Sequence, residues 1–193
     1  MLKIIIIGNG NGKGSLSPKN GHIIDSFDKN IRFNGFQIKG YEKYIGQKID
    51  IICFIPTGAG AKVALYEQTQ KITSQSTELW FSRPKELCQN TYIQMLKKFH
   101  TNQKIVHPSL EQYNSILEKC RMIEKNDKTP SSGFIAIELT ILLFKNYDIY
   151  ITGFDQFKSG HYYGKKSIPK CHTIKAEEEL INKYVKDKLL NIL

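Results

Sequence analysis

The sequence lacks the features that mark several common classes of protein. No apolar run approaches the length that spans a bilayer, and the aliphatic run at residues 4–7 is followed at once by glycine, unlike a signal peptide. The four cysteines (Cys53, Cys88, Cys120 and Cys171) are scattered, with no CxxC pair and no zinc spacing. We therefore expect buried free thiols in a reducing compartment, without a disulfide framework.

An excess of acidic residues is also missing. The chain carries 28 Lys and Arg against 18 Asp and Glu, a net charge of +10, and such a balance attracts nucleic acid, anionic lipid or a nucleotide. The lysines are dispersed, and no RNA-binding sheet motif or helix-turn-helix signature accompanies them. We therefore expect no specific nucleic-acid partner, and assign part of the excess to an anionic small molecule or a membrane-associated partner. The abundance of Lys, Ile and Asn is typical of an AT-rich bacterial genome.

Strand-like and helix-like segments alternate along the chain. The predicted strands are residues 2–7, 30–33, 49–55, 78–82, 104–107 and 148–152. The predicted helices are residues 59–71, 84–99, 110–124, 134–144 and 177–193. No internal repeat or linker interrupts them. This order predicts an α/β fold, a single Rossmann-like domain over residues 1–193 with a mainly parallel sheet and helices on both faces.

A glycine-rich turn, residues 8–15, follows the first strand. It is not a Walker P-loop, because Ile7 stands where the first glycine belongs and Gly14 follows Lys13 in place of Ser or Thr. A dinucleotide fingerprint would need glycine at Lys13. Such a turn still lets backbone N–H groups approach an anion or a sugar, and Asn9 offers both a donor and an acceptor. An ordinary tight turn is the alternative.

Two further polar groups are expected at the same edge of the sheet. A strand that ends at Asn34 would bring that amide beside the glycine-rich turn, where α/β sheets bind ligands. Residues 130–133 (PSSG) open an apolar helix, and the N–H groups and hydroxyls at a helix start favour phosphate or carboxylate. Simple N-capping by Ser131 or Ser132 is the competing interpretation.

Two of the five histidines follow the last predicted strand. The chain reads His161-Tyr162-Tyr163, then His172 and, five positions later, Glu177. A loop that leaves a buried strand is where an α/β protein places chemistry, and two imidazoles there can exchange protons near neutral pH. Surface histidines in a polar loop are the alternative. Glu177 is one of three consecutive glutamates at a helix start, where acidic residues are favoured in any case.

Together these pieces resemble the sialyltransferases of glycosyltransferase family 29, with kinship to the bacterial family 42 enzymes. Four family motifs are matched in the family's order: the large motif at residues 5–10 (IIIGNG), 30–34 (NIRFN) and 46–48 (GQK), the small motif at 130–134 (PSSGF) and 149–154 (IYITGF), the third motif at His161-Tyr162-Tyr163, and the very small motif at His172 with Glu177. The middle section, about residues 59–126, carries no motif. The resemblance implies a variant of the GT-A glycosyltransferase fold.

The chain departs from the family in two ways. The large and small motifs usually carry a pair of bridging cysteines, whereas the opening strand here has none. Eukaryotic members also have a membrane anchor and a stem, which this sequence does not contain. We therefore expect a bacterial, cytoplasmic enzyme without that disulfide, and leave open a peripheral contact with the inner membrane.

The resemblance implies an inverting transfer of sialic acid, or a related nonulosonic acid, from its CMP-sugar to a hydroxyl of a surface glycan or glycolipid. We expect no metal or other cofactor, because CMP leaves with an ionised phosphate and the chain has no Asp-x-Asp pair of the kind that metal-dependent glycosyltransferases use. A CMP-Kdo-dependent transferase and an inactive nucleotide- or glycan-binding protein are the alternatives. The acceptor, the linkage and the oligomeric state stay open.

The resemblance also implies roles for individual residues. His172 would be the general base on the acceptor hydroxyl, with Glu177 holding or neutralising it. His161, with Tyr162 or Tyr163, would stabilise the departing phosphate by hydrogen bonds. Contacts with the CMP moiety are implied for Gly8, Asn9, Gly10, Asn34, Ser131, Ser132 and Gly133.

Overall fold

One parallel sheet organises the chain. The computed structural model describes residues 1–11, 20–56, 75–76, 78–97, 103–155, 158, 160–164 and 171–193. The strands in these ranges are β1 (Leu2–Ile7), β2 (Lys29–Phe33), β3 (Ile51–Phe54), β4 (Glu78–Phe81), β5 (Lys104–Val106), β6 (Tyr147–Thr152) and β7 (Asn191–Ile192). They lie in the order β5-β4-β3-β2-β1-β6-β7, and each neighbouring pair is parallel. The predicted parallel sheet is confirmed.

Helices connect these strands. In the described ranges they are α1 (Gly21–Asp25), α2 (Glu42–Ile45), α3 (Gln89–Leu96), α4 (Leu110–Ile123), α5 (Ser132–Leu143) and α6 (Ile174–Lys186), with one 3₁₀ turn at Lys85–Leu87. No helix among them is both long and apolar enough to cross a membrane. The predicted helix at residues 59–71 lies outside the described residues. The short helices α1 and α2 were not predicted, because neither is long enough to display an apolar period.

The strands bury side chains on both faces of the sheet. On β1, Ile4 and Ile6 pack into a large cluster with residues of α4, α5 and α6. The alternate residues Ile5 and Ile7 pack on the opposite face against Ile24 of α1. Complete burial of such an aliphatic side chain stabilises the fold by about 1.5–3 kcal/mol. The prediction of helices on both faces is therefore confirmed.

Helix α5 is buried on nearly all sides. The four consecutive residues from Phe134 to Ile137 are inaccessible to solvent, as expected for a helix that is apolar all round. Its N-terminus reaches the loop after β4, where the hydroxyls of Ser82 and Ser132 lie 3.0 Å apart. The polar start of this apolar helix is thereby fixed at the carboxyl edge of the sheet.

The predicted helix from Pro84 to Phe99 is wrong in its first part. Pro84 has an extended backbone (φ −57°, ψ 146°), a single 3₁₀ turn follows, and α3 begins only at Gln89. Cys88 separates the two segments, and its buried thiol donates to the Pro84 carbonyl (3.1 Å). Residues 98–102 lie outside the described ranges.

The predicted closing helix, residues 177–193, is also wrong at both ends. Helix α6 begins at Ile174 and ends at Lys186, and Lys188 then takes a positive φ of 59°. This reversal buries Leu190 and lets the last residues pair with β6 as strand β7. Strand pairing and burial of Leu190 outweigh the helical preference of the sequence. Other predicted boundaries shift by one or two residues.

The order of the strands places a crevice beside β1. The chain leaves β1 towards β2 on one side of the sheet, whereas β6, on the other side of β1, continues to β7. In open parallel sheets, ligands bind at such a switch point, outside the carboxyl ends of the strands. The segments that leave this edge include those that begin at Gly8, Asn34, Ser82 and Gly153.

Candidate active site

The turn at Gly8–Gly10 is bound to the segment that follows β6. The N–H groups of Gly8 and Gly10 donate to the carbonyl oxygens of Thr152 (2.8 Å) and Gly153 (3.0 Å). A Cβ on Gly8 would lie 2.4 Å from the Gly153 oxygen, so close approach of the two backbones requires glycine here. Because these N–H groups bond within the protein, the expectation that they face an anion is wrong for Gly8 and Gly10.

His161 lies against the same turn. It forms an antiparallel bridge with Gly10, and the neighbouring Tyr162 N–H donates to the Asn9 carbonyl (3.0 Å). Partial desolvation lowers the pKa of the His161 ring, and the negative charge of Asp155 opposes this shift. A ring that is neutral near pH 7 still has one N–H group, which can donate to a phosphate oxygen.

The two tyrosines after His161 have different surroundings. Tyr162 is buried, and its hydroxyl donates to the Gln37 carbonyl (2.8 Å) and accepts from the Gln37 N–H (3.3 Å). Burial raises the pKa of Tyr162 well above its usual value. Since its only O–H already bonds to Gln37, the expected phosphate contact is wrong for Tyr162 in this conformation.

Tyr163 fits that role better. It is half-buried between the rings of His161 (5.3 Å between centroids) and Tyr162 (4.8 Å), and burial raises its pKa to about 12. Within the described ranges its hydroxyl makes no hydrogen bond. A neutral hydroxyl beside His161 is thus available to donate to a ligand.

Asn34 lies beside the glycine-rich turn, as predicted. The Asn9 Nδ2 group donates to the carbonyl of Phe33 (3.3 Å), the residue before Asn34. Asn34 itself has a positive φ of 47°, and its Oδ1 accepts from the Ile55 N–H (2.9 Å). This bond between the ends of β2 and β3 fixes the side chain at the carboxyl edge. Contact of Asn9 and Asn34 with CMP stays a prediction.

The polar start of α5 combines capping and packing. The Ser131 Oγ accepts from the Phe134 N–H (3.1 Å), which confirms the N-capping interpretation. Ser132 is buried against Ser82, and a Cβ on Gly133 would lie 2.8 Å from the Phe154 ring. These three residues therefore have structural roles, and their contact with CMP stays a prediction.

Glu177 bonds to this helix start. Its buried carboxylate accepts from the Ser131 N–H (2.8 Å), the Ser131 hydroxyl (2.6 Å) and the Thr173 hydroxyl (3.3 Å). Burial raises the pKa of Glu177 to about 7, although these hydrogen bonds oppose the shift. In the described structure Glu177 makes no hydrogen bond to His172. The expectation that it holds His172 is wrong, because the carboxylate lies one helical turn further on and points to Ser131.

His172 is oriented by the backbone of Thr129. Its Nδ1 lies 3.2 Å from the Thr129 oxygen, and residues 129 and 172 form a parallel bridge. Because a carbonyl oxygen can only accept, Nδ1 carries the proton, and in the neutral ring Nε2 is the basic atom. Desolvation lowers the pKa of His172, the Thr129 hydrogen bond raises it, and the charge of Arg83 lowers it. The net lowering keeps the ring neutral near pH 7, as a general base requires.

Arg83 belongs to the site, although it was not among the residues predicted from the sequence. Its buried guanidinium donates to the carbonyls of Ser82 (2.8 Å) and Pro130 (3.1 Å) and lies over the ring of Tyr113 (5.2 Å). The one available signal was its place directly after a strand, at the carboxyl edge of the sheet. Asp155, whose charge acts on His161, also follows a strand at this edge and was also not predicted.

No cluster of three or more His, Cys, Asp or Glu side chains is placed to hold a metal ion in the described ranges. The four cysteines are free, and Cys53, Cys88 and Cys120 are buried. Cys171 is exposed, so the expectation of a buried thiol is wrong for this residue. The lack of a disulfide among the four agrees with the prediction.

The comparison with known sequences identifies the class of protein that this fold and site define. The profile of glycosyltransferase family 29 (sialyltransferase) matches residues 3–189. The chain belongs to this family, as the motifs predicted.

Two relatives illustrate the similarity in sequence. The chain is 27% identical over 164 residues to rat beta-galactoside alpha-2,6-sialyltransferase 2. The aligned region covers 77% of this chain and 31% of that protein. The human protein of the same name is 28% identical over 165 residues, with the same coverage. The chain thus spans 31% of the length of these relatives.

Solved structures share the fold. A mammalian sialyltransferase in complex with Gal-beta-1-3GalNAc-ortho-nitrophenol has a TM-score of 0.65 and 16% identity, over 100% of this chain and 69% of that one. The Campylobacter jejuni sialyltransferase CstII, in complex with the substrate analogue CMP-3FNeuAc, has a TM-score of 0.66 and 17% identity. The match covers 100% of this chain and 82% of that one. The α/β architecture predicted from the sequence is therefore that of known sialyltransferases.

Proposed function

We propose that this protein transfers sialic acid, or a related nonulosonic acid, from its CMP-sugar to a hydroxyl of a glycan. Membership of family 29 supports the reaction class. The observation that carries the proposal is the hydrogen bond between His172 Nδ1 and the Thr129 carbonyl (3.2 Å), which leaves Nε2 as the basic atom of the neutral ring. A sugar hydroxyl can be activated by a base of this kind near neutral pH.

The loops at the carboxyl edge supply the donor site in this proposal. Asn9 and Asn34 contact the CMP moiety from the ends of β1 and β2, and the start of α5 approaches it from the opposite side. The Asn34 Nδ2 group makes no hydrogen bond in the described part of the chain, which supports a role in recognition. Phe154 lies between the two sides, since a Cβ added at Gly8 or at Gly133 would lie 3.2 Å or 2.8 Å from its ring.

The leaving group is the phosphate of CMP. We assign its stabilisation to the neutral ring of His161 and the hydroxyl of Tyr163, which lie together next to the Gly10 turn. Hydrogen bonds aimed at the phosphate oxygens strengthen as negative charge develops on them. Tyr162 supports this pair indirectly by fixing the segment to Gln37.

The reaction then proceeds in one displacement. His172 Nε2 accepts the proton of the acceptor hydroxyl as its oxygen forms the new bond to the anomeric carbon. The bond from that carbon to the phosphate oxygen breaks on the opposite face, so the anomeric configuration inverts and CMP departs. Because the phosphate is already ionised, we propose that the reaction needs no metal ion. Glu177 acts through the Ser131 helix start and not on the reacting atoms.

One assay tests the reaction class. The protein is incubated with CMP-Neu5Ac or CMP-Kdo, and CMP release is measured with and without a panel of galactose-terminated acceptors. We expect acceptor-dependent CMP release from CMP-Neu5Ac. Preference for CMP-Kdo would replace the donor in this proposal. Tight CMP binding without turnover of either donor would contradict it in favour of a binding protein.

A further inference from the structure

Arg83 is a buried cation that has no acidic partner among the residues described by the structure. It lies two residues after the end of β4, the residue is 7% exposed, and its guanidinium donates to backbone carbonyls. Removing a charge from water is costly unless polar groups surround it. Here backbone carbonyls and the ring of Tyr113 do so.

The hydrogen bonds of Arg83 converge on the turn that orients His172. Its Nη2 group donates to the Pro130 carbonyl (3.1 Å) and lies 3.5 Å from the Thr129 hydroxyl. The Thr129 carbonyl in turn lies 3.2 Å from His172 Nδ1 and also accepts from the Thr173 N–H (3.3 Å). The guanidinium therefore holds the turn at Thr129 and Pro130 in place. The Thr129 carbonyl of this turn is the acceptor that selects the tautomer of His172.

We propose that Arg83 is the positioning residue of His172, since it fixes the turn at Thr129 and Pro130 whose carbonyl holds the imidazole. This inference rests on the proposed function in taking His172 as the base. Arg83 acts in two separable ways. Its planar group fixes the geometry of the turn, and its positive charge disfavours a second positive charge on His172.

Other ionisable groups lie in the same corner. Cys171 is adjacent, with its Sγ 3.9 Å from His172 Nδ1. Tyr113 of α4 lies under Arg83, and Glu177 of α6 bonds to Ser131. Glu124 accepts from the first N–H groups of α6. Arg83 carries a positive charge that lowers the pKa of His172. Its removal is therefore expected to raise this pKa towards the ordinary value of 6.5.

The experiment uses ¹⁵N NMR of the histidine rings together with the pH profile of transfer. In the unmodified protein we expect His172 to be the Nδ1–H tautomer with a pKa below 6.5. In Arg83→Gln we expect this pKa to rise, the acid limb of kcat/KM to move to higher pH, and kcat to fall by ~10²-fold, as for a misplaced catalytic group. Arg83→Lys keeps the charge, so its His172 pKa should stay low while kcat still falls. The matched control is Arg121→Gln, which removes the same charge from an exposed ion pair with Glu118.

The NMR readout separates this inference from the proposed function. If His172 titrates and keeps its tautomer identically in the unmodified protein, Arg83→Gln and Arg121→Gln, Arg83 has no positioning role. If the pKa moves in Arg83→Gln but no variant and no wild-type protein transfers sugar, Arg83 positions His172 and the proposed reaction is wrong. Should Arg83→Gln not fold, Arg83→Lys decides, because unchanged kcat in that variant would overturn the geometric role.

Discussion

Glu177 and Ser131 are joined by two hydrogen bonds across 46 residues of sequence. The Ser131 backbone N–H donates to Oε1 (2.8 Å) and its hydroxyl donates to Oε2 (2.6 Å), with both residues buried. The same hydroxyl accepts from the Phe134 N–H and so caps α5. This pair connects the start of α6 to the start of α5, which are the segments that carry His172 and the candidate donor site.

The pKa of Glu177 predicts a pH dependence of stability. Its folded pKa, about 7, lies above the ordinary value of 4.5, so the folded protein holds a proton that the unfolded chain has lost. The contribution of Glu177 to the free energy of unfolding is fully present below pH 4.5 and is lost as the pH rises through about 7. We expect the free energy of unfolding of Glu177→Gln, relative to wild type, to rise by about 3 kcal/mol across this window.

Urea unfolding at several pH values measures this difference. Glu179→Gln is the matched control, because it removes a carboxylate from the exposed face of the same helix. We expect it to change stability by less than about 0.5 kcal/mol at every pH. A difference between Glu177→Gln and wild type that stays constant from pH 4.5 to 7 would show that the carboxylate is ionised throughout.

The two neighbouring tyrosines are expected to respond differently to loss of the hydroxyl. Tyr162→Phe removes the partner of Gln37 and should destabilise the fold by about 1–2 kcal/mol. Tyr163→Phe removes no internal hydrogen bond and should leave stability within about 0.5 kcal/mol, while turnover falls because the departing phosphate loses a donor. Thermal unfolding and initial rates measure both effects. The reverse pattern would assign the phosphate contact to Tyr162.

Local features of the sequence predicted much of this fold. The apolar run at residues 4–7 indicated a buried parallel strand, and the serines before Phe134 indicated a capped helix. Asn34 was placed correctly because a parallel sheet brings the carboxyl ends of its strands to one edge. The C-terminal end of α6 was not predictable in this way, because the reversal at Lys188 depends on burial of Leu190 in the tertiary structure.

The partners of the site residues depend on contacts between distant segments. Arg83 reaches Pro130 across 47 residues, and Tyr162 reaches Gln37 across 125. No local pattern encodes such pairs. The sequence therefore identified His161 and His172 as candidates but not Arg83, and it assigned Glu177 to the wrong partner.

The proposed mechanism predicts that turnover persists without metal. The chain has no Asp-x-Asp pair, and the assigned groups can stabilise the phosphate by hydrogen bonds alone. Transfer rates in excess EDTA should therefore match those in untreated buffer. Loss of activity in EDTA that Mg²⁺ or Mn²⁺ restores would contradict this part of the mechanism.

The central claim is that His172 is the base and His161 serves the leaving phosphate. The most direct measurement pairs transfer rates with CMP affinity by calorimetry for His172→Ala and His161→Ala, with His22→Ala on the exposed side of α1 as the control. We expect His172→Ala to lower turnover by ~10²–10⁴ and to bind CMP almost as wild type does. His161→Ala should lower both turnover and CMP affinity, and His22→Ala neither. Near-normal turnover in correctly folded His172→Ala would contradict the account.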